Sequence, residues 1–215
     1  MERIFCLIIG YVFGLFNTGY IIGRIKKTDI REHGSGNAGT TNALRTFGLK
    51  IGLLTLLGDC MKCVLAVLVT KAVFGSRCGD ILPLLSVYTA AGCILGHNYP
   101  FTLGFKGGKG IAATLGMFLA IDWPLAITGF AFFLIVFFVT HYVSLASLSA
   151  NLMAFVSLVI LGCHGRYGMD TPHRVELYVV MGLLTALAFY RHKENIRRLA
   201  RGEESKVYLK KKNRQ

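Results

Sequence analysis

The stretch His97-Asn98-Tyr99-Pro100-Phe101-Thr102-Leu103-Gly104-Phe105-Lys106-Gly107-Gly108-Lys109-Gly110 decides how the chain is organised, because apolar sequence runs up to it on both sides. A segment this rich in glycine and polar groups cannot lie in lipid, so it must connect two membrane spans. Lys106 and Lys109 alternate with Gly107, Gly108 and Gly110. Glycines let successive N–H groups point into one concavity, which suits an anion, and the two lysines would add charge to a phosphate held that way. The loop is not of the nucleotide-binding type. Counting back from Gly108-Lys109, Leu103 stands where the earlier glycine belongs, and Gly110 stands where Ser or Thr would bind magnesium. The plainer reading of the same residues is a flexible, positively charged inner loop of a membrane protein.

Composition supports the membrane setting. The 215 residues are 53% hydrophobic with mean hydropathy +0.54, values that exclude an ordinary soluble domain and leave one polytopic bundle, 1–215, as the simplest architecture. The net charge of +13 sits mostly in three places: six basic residues from Arg24 to Lys50, two in the lysine loop, and ten in the tail from Arg191 to Arg214. All three flank apolar runs. That is the orientation signal of a membrane protein, so nucleic acid is excluded as a partner. The six cysteines lie mostly inside apolar runs, and Cys60-x-x-Cys63 has no second pair to complete a zinc site.

Taken in order, Ile4–Gly23 is long enough to span, and it lacks a small-residue cleavage site, so it is expected to remain as one helix. Ile51–Val73 is the second span and Ile81–Leu95 the third. From Ile111 to Thr140 the chain is apolar except at Asp122-Trp123-Pro124, a turn signal with an interfacial aromatic. Two full crossings do not fit there, so either one half is a short helix or the whole is a single broken span. If the turn reaches the opposite face, all three basic segments fall on one side, the cytoplasm. The expectation is then an all-α, seven-helix transmembrane bundle with its N-terminus outside and its basic tail, 191–215, cytoplasmic. The sixth span begins near Ser144 and the seventh covers Val175–Tyr190.

Several polar groups need a reason within this bundle. The segment Gly34-Ser35-Gly36-Asn37-Ala38-Gly39-Thr40-Thr41-Asn42-Ala43-Leu44-Arg45 is either a second anion-binding nest, with Arg45 as a bidentate fork, or an ordinary turn-rich loop. Asp59 and Lys62 share a helix face within the second span, and charges at that depth must pair or face a polar interior. Ser144, Ser147 and Asn151 form a polar stripe that packing alone could explain. His192 and Asn195 share a face of a basic juxtamembrane helix suited to anionic headgroups. Of the histidines, His97 is the obvious general base. None of the six has aspartate five positions later, which excludes the His-x-x-x-x-Asp motif of soluble acyltransferases. A transporter of an anionic solute would also carry glycine-broken basic segments, but the chain shows no internal repeat and its motifs cluster on one face.

Gly34-Ser35-Gly36-Asn37 through Arg45, Gly96-His97 through Gly110, and Arg191-His192 through Arg198-Leu199 together resemble the bacterial acyl-phosphate glycerol-3-phosphate acyltransferase family, called PlsY. The resemblance spans essentially the whole chain in family order. Ala38, Tyr99 and Cys63 depart from residues frequent in the family, and either Glu203 or Glu204 matches its late glutamate. The family implies seven helices with motifs at the cytosolic face of the bacterial inner membrane. It implies transfer of a fatty acyl group from acyl phosphate to the 1-hydroxyl of glycerol 3-phosphate, giving lysophosphatidic acid and inorganic phosphate without a metal or cofactor. Membrane lipid and the enzyme that makes acyl phosphate are the implied partners. Residues and resemblance together nominate His97, Ser35, Arg45, Lys106, His192 and Asn195 as catalytic. Gly36, Asn37, Thr41, Asn42, Gly107, Gly108, Lys109, Ser144 and Ser147 are expected to bind substrate, and Asp59, Lys62 and Glu204 to give structural support. The resemblance also favours a substrate phosphate oxygen over His97 as the proton acceptor.

Overall fold

A computed structural model describes residues 1–208, so residues 209–215 of the expected basic tail lie outside the described residues. The described chain is helical: α1 Glu2–Gly14, α2 Thr18–Ile25, α3 Thr40–Phe47, α4 Leu49–Phe74, α5 Leu82–Asn98, α6 Ile111–Ile121, α7 Trp123–Thr140, α8 Val143–Cys163, α9 Thr171–Arg191 and α10 Lys193–Ala200. Among the described residues, five segments are long and apolar enough to cross a membrane: Glu2–Ile25, Leu49–Phe74, Gly79–Leu103, Trp123–Thr140 and Val143–Cys163. Large apolar side chains point outward from them and from α9; Leu57, Ile135 and Leu183 are 59%, 62% and 65% exposed. Such faces need lipid around them.

The first span is not one helix. It breaks at Leu15–Asn17, and the cause lies on α4. Lys62 Nζ donates to the carbonyl oxygens of Gly14, at 3.3 Å, and Phe16, at 2.5 Å. Asp59 Oδ1 accepts from the Thr18 N–H at 3.2 Å and the Thr18 hydroxyl at 3.1 Å. The cation thus meets the negative, carbonyl end of α1 and the anion the positive, N–H end of α2. Breaking a helix at membrane depth is tolerated because these charges satisfy the freed backbone groups.

The stretch from Ile111 to Thr140 resolves into a short helix, α6, and a long one, α7. Eleven residues rise only about 17 Å, well short of the ~30 Å hydrocarbon core. Asp122 ends α6, and its Oδ1 caps α7 by accepting from the Leu125 N–H. Arg166 grips the same carboxylate at 2.5 and 2.8 Å, so the α6–α7 turn is tied to the loop between α8 and α9. On that end of the bundle Arg3 of α1 also forks onto Glu176 of α9 at 2.6 and 2.8 Å, with Tyr88 of α5 donating to the same carboxylate.

Helices α1 and α5 pack almost backbone to backbone. A Cβ at Gly10 would sit 1.8 Å from the Thr89 carbonyl oxygen, and one at Gly14 would sit 2.9 Å from the His97 nitrogen. Small residues permit this approach. Its consequence is positional: it sets His97, on the last turn of α5, beside the break in the first span.

Candidate active site

The broken span, the ion pair and His97 form one buried cluster. Lys62 Nζ lies 3.1 Å from Asp59 Oδ1 and 2.8 Å from His97 Nδ1. Asp59, Lys62 and His97 are all nearly inaccessible to solvent. Asp59 and His97 nevertheless line a polar cavity of about 150 Å³, so the structural pair extends into the site itself.

The lysine–glycine loop meets this cluster in an unexpected way. The N–H of Gly107 donates to the Asn98 carbonyl at 3.2 Å, and that of Gly108 to the His97 carbonyl at 3.0 Å. These donors are therefore spent on backbone and do not form the anion nest expected from the glycines. The glycines matter for closeness instead. A Cβ at Gly107 would fall 2.0 Å from the His97 carbonyl oxygen, and one at Gly108 would fall 2.0 Å from His97 Nε2. Arg191 holds the loop down: its Nη2 donates to the carbonyls of Gly107, at 3.3 Å, and Gly108, at 2.8 Å, while its guanidinium covers the Tyr99 ring. Arg191 was not among the residues nominated from sequence; its place beside His192 was the available signal. Lys106 is exposed and does not line the cavity.

A surface chemically suited to an anion lies one step further along. Gly39, Thr40, Thr41 and Asn42 line the cavity at the start of α3, and Gly110, Ile111 and Ala112 line it at the start of α6. Two helix N-termini thus contribute first-turn N–H groups and the positive ends of their dipoles. Gly110, at φ +83, gives α6 its left-handed start. Helix α3 stands within the segment whose composition predicts a loop. Asn42 serves that loop: its amide donates to the carbonyls of Ile30 and His33, and its oxygen accepts from the Ser35 N–H, all at 2.9 Å. Those bonds occupy the side chain that was expected to contact substrate, leaving it to shape the wall. Asn37 joins the two loops, donating to the Gly107 carbonyl at 3.4 Å and accepting from the Gly39 N–H at 3.0 Å. Gly36 lies outside the lining. Ser35 and Arg45 do line the cavity, and Arg45 donates to the Ser205 carbonyl at 3.3 Å.

The far wall comes from the region after α9. Lys109 donates to Asn195 Oδ1, and Asn195 Nδ2 donates to Glu204 Oε1 at 2.6 Å. Ser144 donates to the same Glu204 oxygen at 2.8 Å, and Arg198 pairs with the other at 2.7 Å. Glu204 is buried in this network while Glu203 is exposed. Burial would raise the Glu204 pKa, but the bonds from Asn195, Arg198 and Ser144 outweigh it and hold the carboxylate below its usual range. Burial pushes Lys109 down to about 8; Glu204 opposes that shift, and Arg198, Arg191 and Arg45 reinforce it. His192 is lowered to about 4, first by burial and then by Lys109. Its Nδ1 lies 2.8 Å from the Ala188 carbonyl, which can only accept, so Nδ1 carries the proton and Nε2 is left with a lone pair.

An apolar groove of about 280 Å³ adjoins the polar cavity, sharing Thr40, Thr41, Ile111, Ala112 and Ser147 with it. It continues between α4, α6, α7 and α8 past Phe133, Gly129 and Leu125, a distance along α7 of about 18 Å from Phe137 to Leu125. Val207, held by its N–H to the His141 carbonyl at 2.9 Å, closes one side. The site is thus amphipathic: cations and helix N-termini at one end, a hydrocarbon-lined slot at the other.

The sequence profile of the glycerol-3-phosphate acyltransferase family matches residues 4–202. The glycerol-3-phosphate acyltransferase of Clostridioides difficile (strain 630) is 41% identical over 206 residues, covering 95% of each chain. That of Alkaliphilus metalliredigens (strain QYMF) is 37% identical over 209 residues, covering 96% of this chain and 97% of its own. The crystal structure of PlsY (YgiH), an integral membrane glycerol 3-phosphate acyltransferase, in its glycerol 3-phosphate form superposes with a TM-score of 0.84 at 35% identity, covering 97% of this chain and 96% of that one. Matching in sequence over nearly its full length and in fold over the same span, the chain belongs to the PlsY family of integral membrane glycerol-3-phosphate acyltransferases.

Proposed function

We propose that this protein transfers a fatty acyl group from acyl phosphate to the 1-hydroxyl of glycerol 3-phosphate, giving lysophosphatidic acid and inorganic phosphate. The observation that carries the reading is the junction of the polar cavity with the apolar groove, since a substrate with an anionic head and a hydrocarbon tail uses both. Solved PlsY structures in glycerol 3-phosphate and lysophosphatidic acid forms support the acceptor and the product. Arg45, Lys109 and the N-termini of α3 and α6 hold the phosphates. Ser35, His97, His192 and Asn195 orient the reacting groups, with Ser147 at the head of the groove.

The donor is already activated, so no acyl-enzyme is required and alignment of two bound substrates supplies much of the catalysis. The hydroxyl oxygen attacks the acyl carbon, the bond from that carbon to the phosphate oxygen breaks, and the departing phosphate takes the hydroxyl proton. The site faces the cytoplasm of a bacterial cell membrane. Seven passes satisfy this orientation: the five apolar segments, α9, and α6, which is too short to cross alone and carries the chain from Gly107 and Gly108, buried against His97, to the turn at Asp122, with the N-terminus outside and the C-terminus inside.

Purified protein reconstituted in liposomes, given acyl phosphate and labelled glycerol 3-phosphate, tests the reading. Labelled lysophosphatidic acid should form, and it should form less with Arg45→Ala. No product from either substrate order would refute it.

A further inference from the structure

We infer that Lys62 is a positioning residue that fixes His97 as a hydrogen-bond donor toward substrate, so that this imidazole cannot serve as the base for the attacking hydroxyl. The inference rests on the acyltransferase reading for its chemistry, but its geometry stands alone. An ammonium has three hydrogens and no lone pair to accept with. The two nearest acceptors of Lys62 are the Phe16 carbonyl at 2.5 Å and His97 Nδ1 at 2.8 Å, and the remaining hydrogen lies between Asp59 Oδ1 at 3.1 Å and the Gly14 carbonyl at 3.3 Å. His97 Nδ1 is therefore an acceptor, and a proton placed on it would meet the ammonium hydrogens head-on. The ring proton belongs to Nε2.

The alternative partner for Nδ1 is Asp59, whose carboxylate would enforce the opposite tautomer and leave Nε2 basic, as in a Ser-His-Asp triad. Asp59 Oδ1 lies 3.7 Å from Nδ1, beyond hydrogen-bond reach, with Lys62 interposed at 3.1 Å from the same oxygen. Asp59 thus holds the lysine, and the lysine holds the histidine. Among the described residues Nε2 has no protein partner, and the bare α-carbon of Gly108 beside it leaves no side chain to take one. That N–H is free to donate to an oxygen of a bound substrate. His192 has the reverse polarity, since its Nδ1 donates to a carbonyl.

Nitrogen NMR of the full-length protein labelled with ¹⁵N-histidine, in lipid nanodiscs, reads the tautomers, with His97 signals assigned by their loss in His97→Gln. His97 should show an unprotonated Nδ1 and a protonated Nε2, and His192 the converse. A protonated Nδ1 on His97 overturns the inference whether or not the protein is an acyltransferase. Lys62→Met should release the ring to a mixture of tautomers. Its kcat should fall by about 10²-fold, the scale for a reacting group displaced by ~1 Å, with KM for glycerol 3-phosphate much less affected. If Lys62→Met keeps the single tautomer while losing activity, the lysine is structural only and the inference fails. If that variant does not fold, the wild-type spectrum still decides.

Discussion

Replacing Gly108 with alanine asks whether the lysine–glycine loop works by closeness to His97 or by cradling phosphate. The new Cβ would lie 2.0 Å from His97 Nε2, 2.8 Å from Cε1 and 2.9 Å from Cδ2. Carbon and nitrogen atoms settle near ~3.5 Å, so ring and methyl must part by more than an ångström. The ring has little freedom, because Nδ1 is tied to Lys62 at 2.8 Å. The loop has little either, being fastened by the Gly108 N–H to the His97 carbonyl and by Arg191 to the Gly108 carbonyl. Overpacking of this kind costs about 1–3 kcal/mol, and a ~1 Å shift of a reacting group costs about 10²-fold. Steady-state kinetics on purified Gly108→Ala should show kcat down by about that factor, with KM for glycerol 3-phosphate much less changed and thermal unfolding earlier. In a His97→Gln background the same substitution should cost far less, since the ring it strikes is gone. Unchanged kcat with a raised KM would mean that the loop is a phosphate nest after all. An equal cost with and without His97 would mean that the damage does not pass through the imidazole.

Arg45→Lys keeps the charge but loses the planar fork and its bond to the Ser205 carbonyl, so KM for glycerol 3-phosphate should rise by about tenfold, the worth of one charge-assisted bond; an unchanged KM would remove Arg45 from the phosphate site. Lys109 titrates at about 8 in the folded protein against 10.5 ordinarily, so it loses charge as pH climbs through about 8, and KM for the phosphate substrate should climb with it. The unfolded chain binds that proton more tightly, so stability should move the other way and increase over the same window; Lys109→Arg should flatten both trends, and a pH-independent wild-type KM would contradict them. Gly129→Leu places a side chain in the groove without a backbone clash, the nearest atom to the new Cβ being the Ala154 Cβ at 3.9 Å. It should lower kcat/KM for long acyl donors and spare short ones; equal loss across chain lengths would remove the groove from acyl binding.

Much of the fold was legible because hydropathy is a local property. The apolar runs, the turn at Asp122 and the pairing of Asp59 with Lys62 could all be read from neighbours in sequence. The break at Leu15–Asn17 could not, because an apolar run gives no hint of it and its cause sits more than forty residues away on α4. The glycine loop misled for a related reason. Gly107 and Gly108 have the permissive backbone of a nest, but their N–H groups are claimed by Asn98 and His97. The helix N-termini that line the cavity were hidden by polar composition around Thr40 and by the apolar start of α6. Glu204 gathers Ser144 from α8 and Asn195 and Arg198 from α10, an assembly that spacing alone does not reveal.

A donor comparison on the purified protein separates direct transfer from acyl phosphate from every other acyltransferase chemistry. Phosphate release and lysophosphatidic acid formation are followed together, first with acyl phosphate alone, then with glycerol 3-phosphate added, then with acyl-CoA in place of acyl phosphate. Direct transfer in this site predicts no phosphate burst before glycerol 3-phosphate arrives, one phosphate released for each lysophosphatidic acid formed afterwards, and no product from acyl-CoA. A burst of phosphate without acceptor, which would mean an acyl-enzyme, or equal use of acyl-CoA, would contradict it.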